Sequence, residues 1–184
     1  MSLRRRFEQA VAVIDAYGGA DGPLALVGFS MSGRTVADLV RHYGDRVAAL
    51  GQCAPAVYSA EAWDVPFEDG NGRFSRIIRQ PDSWREAPAL EVLRAYEGRA
   101  GTDAVIPPAA TESIQNALAA RAQYTRFGLP EAQHQLGTWF REHGDDRRES
   151  MEAVLTGLDG QGLRPLRDRK PPRAPKTKRA SGAT

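Results

Sequence analysis

The chain has little cysteine: Cys53 is the only one in 184 residues, which excludes an internal disulfide. Lying just after Val47-Ala48-Ala49-Leu50, that thiol reads as a small buried hydrophobe rather than a nucleophile. Histidine is nearly as scarce, so any acid–base role for an imidazole falls to His42, His134 or His143. No run approaches the ~18 apolar residues that a membrane-spanning helix requires. The arginines near the N-terminus are followed by Glu8, Gln9 and Asp15 in an amphipathic pattern, so the apolar core of a signal peptide is missing as well. These absences predict a cytoplasmic protein without a membrane span. A hydrophobic content of 41% with 8% aromatics fits one globular domain of ordinary size.

The net charge of +2 conceals an asymmetry. From Arg164 onward the chain holds eight Lys or Arg and one acid, Asp168, together with four prolines and almost no large apolar residue. That composition cannot bury a core, so residues 161–184 read as a disordered basic tail on a body spanning 1–160. No aromatic residue is interleaved for base stacking and no folded binding motif accompanies the tail. A solubilising extension is therefore the expectation, and nucleic-acid binding is not.

What the chain does have is a strand, a sharp turn and a helix in Leu24-Ala25-Leu26-Val27-Gly28-Phe29-Ser30-Met31-Ser32-Gly33-Arg34. The apolar run Leu24–Val27 suits a strand buried on both faces of a parallel sheet, and Val36, Ala37, Leu39 and Val40 then recur at helical spacing. Ser30 sits at the bend, where small neighbours allow the helix to approach the strand while the serine takes a positive φ. A helix over Leu3–Tyr17 with a Gly18-Gly19 stop precedes this stretch. A second buried strand follows near Val47–Cys53, and two strands joined by one helix predict a parallel crossover. From Val57 to Arg85 the pattern loosens into an excursion with scattered Trp63, Phe67, Phe74 and Trp84. Those aromatics suit either a cap over an apolar pocket or a long loop pinned to the body.

Gly28-x-Ser30-x-Ser32 resembles the G-x-S-x-G nucleophile elbow of the α/β-hydrolase family, with serine in place of the last glycine and Gly33 one step later. Gly101-Thr102-Asp103-Ala104-Val105-Ile106-Pro107 resembles the family's acid loop, and a helix is expected from Thr111 to Ala122. Tyr124 to Leu136 reads as a strand and a proline-containing loop that delivers His134, with a helix beyond through Trp139 and Phe140. The resemblance implies Ser30 as nucleophile, His134 as general base and acid, Asp103 as its orienter, and the Met31 N–H as an oxyanion donor. His42 and His143, late on their helices, are expected at the surface. Residues 89–98 leave two readings open. Ala89–Tyr96 reads better as a helix, with Leu90, Leu93 and Tyr96 on one face; alternatively Leu90–Gly98 is the acid's strand and Glu97 is the rival acid.

The implied fold is a three-layer α/β-hydrolase-like domain, a mostly parallel sheet with helices on both faces. The resemblance covers about Phe7 to Leu155 and matches only the second half of that fold, so the N-terminal strands and the second oxyanion donor are missing. Loss of one such donor typically costs about 10²–10³ in rate. An exposed sheet edge also invites pairing with a second copy. The implied function is hydrolysis of a small carboxylic ester through an acyl-enzyme, with no metal or cofactor. The alternative is an impaired remnant that binds a partner.

Overall fold

The computed structural model describes residues 1–19, 21–97, 99–103, 108–120, 122–127 and 136–155. The fold is mixed α/β. Its elements run α1 (Leu3–Tyr17), β1 (Leu24–Phe29), α2 (Ser32–Tyr43), β2 (Val47–Cys53), α3 (Arg73–Arg79), α4 (Pro81–Arg85), α5 (Ala89–Ala95), β3 (Arg99–Asp103), α6 (Pro108–Leu118), β4 (Gln123–Phe127), α7 (Leu136–Glu142) and α8 (Gly144–Leu155). Among the described residues the strands form one sheet in the order β1-β2-β3-β4, and every neighbouring pair is parallel. The basic tail lies outside the described residues, and no helix among those residues is long and apolar enough to cross a membrane.

Alternation along β1 explains how the sheet is covered. Leu24 and Leu26 pack with Leu50 of β2, with Val36, Leu39 and Val40 of α2, and with Leu90 and Leu93 of α5 in the main core. Side chains one step out of phase point the other way, as a pleated strand demands: Val27 joins Cys53, Leu136 and Phe140, and Phe29 meets Phe140 edge-on at 6.4 Å. A bulge between Leu24 and Ala25 sets two β2 residues against one, so that Val47 as well as Leu50 reaches the main core. Cys53 is buried, as its apolar setting predicts.

The excursion carries its own small core. Phe74, Ile77, Tyr58, Ala62 and Val65 pack around Leu3 from α1, with Trp63, Phe67 and Met31 at the rim. The aromatics of 57–85 therefore pin the long connection to the body, and they do so beside the elbow.

The helical reading of 89–96 holds, while its strand alternative and one helix boundary need correction. Residues 89–95 are helical, with Ala89, Leu90 and Leu93 buried on one face. The strand before Asp103 is confined to five residues, so the Leu90–Gly98 strand is not formed. Apolar spacing of three to four residues outweighs the strand reading there, and the Tyr96 hydroxyl locks the helix end by donating to the Val47 carbonyl at 3.1 Å. The helix expected over Thr111–Ala122 instead spans Pro108–Leu118, because proline is well suited to the first helical turn, where its missing N–H costs nothing.

Candidate functional site

Ser30 has φ +50°, one of two non-glycine residues among those described with a left-handed backbone; Ala54, just beyond β2, has φ +45°. Such a conformation costs about 1–3 kcal/mol and persists only where surroundings hold it. Here three backbone bonds do so: the Ser30 N–H donates to the Cys53 carbonyl (2.9 Å), and the Ser30 carbonyl accepts from the N–H groups of Gly33 (2.9 Å) and Ala56 (3.0 Å). The bent end of β2 thus clasps the turn from below. Ser30 itself is half-buried.

Smallness at the flanking positions is steric in origin. A Cβ on Gly28 would stand 2.8 Å from both the Ser32 carbonyl oxygen and Val36 Cγ2. One on Gly33 would stand 2.7 Å from Gln52 Oε1 and 3.0 Å from Ala56 N. Ser32 escapes this constraint because its hydroxyl lies outside the strand–helix contact and accepts a hydrogen bond from Arg6 Nη1 at 3.5 Å. The glycine requirement has in effect moved one residue on, to Gly33. Gly28→Ala is expected to cost about 1–3 kcal/mol of stability, because Val36 and the first turn of α2 must move; urea unfolding monitored by circular dichroism measures it.

Met31 opens α2, and no hydrogen bond to a described residue engages its N–H. The N-terminus of α2 adds partial positive charge at the same place. Asp103 is the last residue of β3 and is in register with Phe127, the last of β4. Because the strands are parallel, the turn at Ser30, the position of Asp103 and the chain leaving β4 all stand at one edge of the sheet. His134 lies outside the described residues. Glu97 precedes β3, whose first residue, Arg99, pairs with Ala49 near the start of β2, at the end of the sheet away from Asp103. There it lines a cavity of about 590 Å³ with Val40, Arg41, Val47 and Tyr96.

The other two histidines are exposed, as expected. His42 packs edge-on to Phe7 (5.7 Å) and Tyr43 (4.7 Å), and His143 stacks on Trp139 at 3.7 Å. Burial pushes the Tyr58 hydroxyl up to about 12, partly offset by the charge of Arg6, so Tyr58 stays protonated at neutral pH.

Sequence reading missed a buried ion pair that ties the excursion to the elbow helix. Arg34 and Asp38 are only 4% and 1% exposed, with Nε to Oδ2 at 2.7 Å, and Arg34 Nη1 donates to the Tyr58 carbonyl at 2.6 Å. Arg41 Nη2 adds a second contact to Asp38 at 3.1 Å. The i, i+4 spacing of opposite charges was visible; its burial was not, since the covering residues come from the excursion. Arg34→Met is expected to destabilise by about 3–5 kcal/mol, because it leaves a buried carboxylate short of its partner and frees the chain at Tyr58. A thermal melt would show it. In comparisons with known proteins, no family model matches this chain and no curated protein is similar to it.

Proposed function

We propose that this protein is a serine hydrolase acting on carboxylic esters, with Ser30 as nucleophile, His134 as general base and acid, Asp103 as the group that orients the imidazole, and the Met31 N–H as oxyanion donor. The fold proposed with it is three-layer and α/β-hydrolase-like. The observation that carries the reading is the left-handed backbone of Ser30 between a buried parallel strand and a helix. A strained non-glycine residue at such a bend is costly and lifts its hydroxyl above the sheet edge. The acid position supports it: β1 and β3 are two strand spacings apart, roughly 10 Å between backbones, a gap that serine, imidazole and carboxylate side chains span together.

In this mechanism His134 takes the Ser30 hydroxyl proton as Oγ attacks the ester carbonyl, and the oxyanion forms against the Met31 N–H. Collapse expels the alcohol, which takes the proton back from His134. Water then hydrolyses the acyl-enzyme by the same steps. The deciding experiment is labelling of the purified chain with a fluorophosphonate probe. Covalent labelling at Ser30 supports the proposal, and a folded protein that stays unlabelled overturns it.

A second reading, a partner-binding protein with impaired catalysis, is favoured by one feature. β1 is an edge strand of the described sheet, so its outer N–H and C=O groups are a template for another strand. Absence of labelling together with a dimer in sedimentation would favour it.

A further inference from the structure

The first turn of α1 runs against helix electrostatics. A helix N-terminus favours acidic residues, yet α1 has none in its first turn and carries Arg4, Arg5 and Arg6. Two of these charges are answered. Arg4 pairs with Asp64 of the excursion (Nη2 to Oδ2, 2.8 Å), and Arg5 pairs with Glu8 at 3.2 Å. Arg6 is half-buried, and among the described residues no carboxylate pairs with it. Its guanidinium touches the Ser32 hydroxyl at 3.5 Å and the face of Phe67, 5.2 Å from the ring centroid, and its charge acts on the buried Tyr58 hydroxyl.

Its position matters more than its exposure. α1 leads into β1 through a short connection, so the start of α1 lies at the end of the sheet where β1 finishes. Backbone bonds hold it there: the Arg4 N–H donates to the Trp63 carbonyl (3.0 Å) and the Phe67 N–H to the Met1 carbonyl (2.7 Å). Ser32, which Arg6 touches, is two residues from Ser30. Met31 packs in the same small core that Phe67 borders. A partly desolvated cation that no carboxylate among the described residues pairs with therefore stands beside the elbow, next to a helix N-terminus of the same sign. Local rules broken at such cost point to a functional site.

We propose that Arg6 is a specificity-determining residue that receives a carboxylate on the ester substrate, making anionic esters the preferred class. The inference rests on Ser30 being the nucleophile. A guanidinium suits this role because its planar donors match a carboxylate in two parallel hydrogen bonds.

The test compares kcat/KM for 4-nitrophenyl hemiadipate with that for 4-nitrophenyl hexanoate, which have equal acyl lengths and differ in charge. A second arm pairs 4-carboxyphenyl acetate with 4-carbamoylphenyl acetate and places the charge on the leaving group. The wild type is expected to prefer the anionic member in one arm, and that arm tells which side of the ester faces Arg6. Arg6→Gln should lower the preference about tenfold or more, Arg6→Lys should keep part of it, and Arg5→Gln, removing the same charge one residue away, should leave the ratio in place. Added salt should erode the wild-type preference. If Arg6→Gln does not fold, the wild-type ratio and its salt dependence still decide.

An unchanged ratio in Arg6→Gln, or an equal fall for both members of a pair, overturns the assignment. Ser30-dependent turnover without charge preference in either arm sinks Arg6 alone, whereas no turnover and no labelling of the wild type sinks the hydrolase reading and this inference with it.

Discussion

Ser30→Ala is expected to lose fluorophosphonate labelling and to lower turnover of a short-chain aryl ester by about 10⁴-fold or more, the scale on which removing an activated nucleophile acts. Removing the hydroxyl takes away the attacking atom while leaving the strand, the turn and α2 in place. Folding should survive, because the backbone bonds of residue 30 to Cys53, Gly33 and Ala56 do not use the side chain. Ser30→Gly completes the argument from the opposite direction. Glycine occupies φ +50° without steric cost, so this variant should be as inactive as alanine yet more stable, by about 1 kcal/mol. Inactivity with added stability marks a residue held in strain for chemistry. Wild-type turnover in Ser30→Ala would remove Ser30 from the mechanism.

Asp103→Asn is expected to lower kcat by about 10³–10⁴-fold, since an amide in that place favours the wrong imidazole tautomer and fails to stabilise the imidazolium. Glu97→Gln should have little effect on the same reaction. Steady-state kinetics on one ester distinguishes the two, and a larger loss in the Glu97 variant would reverse the assignment. The contrast follows from topology: the two acids are close in sequence, but the length of β3 separates them. Asp103 ends β3 at the edge to which Ser30 belongs, and Glu97 stands before β3 begins.

Much of the elbow was legible because its determinants are local. The apolar run, the small residues around Ser30 and the helical spacing after Arg34 each follow from backbone sterics over a few residues, and β1, the left-handed Ser30 and α2 are found where they predict. The position of β2 was legible for the same reason, from the apolar run Val47-Ala48-Ala49-Leu50 and the small residues up to Ala54. Residues 89–103 were harder, because the spacing of Leu90, Leu93 and Tyr96 favoured a helix over only seven residues and left a short strand possible. The burial of Leu90 and Leu93 in the main core beside α2 bears out the helix.

Arg6 and Arg34 belong to the other category. Read along the chain, each is one arginine among many; the partners that give them meaning, Ser32 and Phe67 for one and Asp38 and Tyr58 for the other, include residues 24 to 61 positions away. Local sterics and hydrophobic periodicity, acting within a turn or a strand, determined the strand–turn–helix and the parallel α/β class, while the residues offered for chemistry came from the resemblance of their motifs. Tertiary packing decided which edge of the sheet each acid occupies, which charges are buried and answered, and which cation is left beside the elbow. Burial and long-range pairing are properties of several segments at once, and no single segment encodes them.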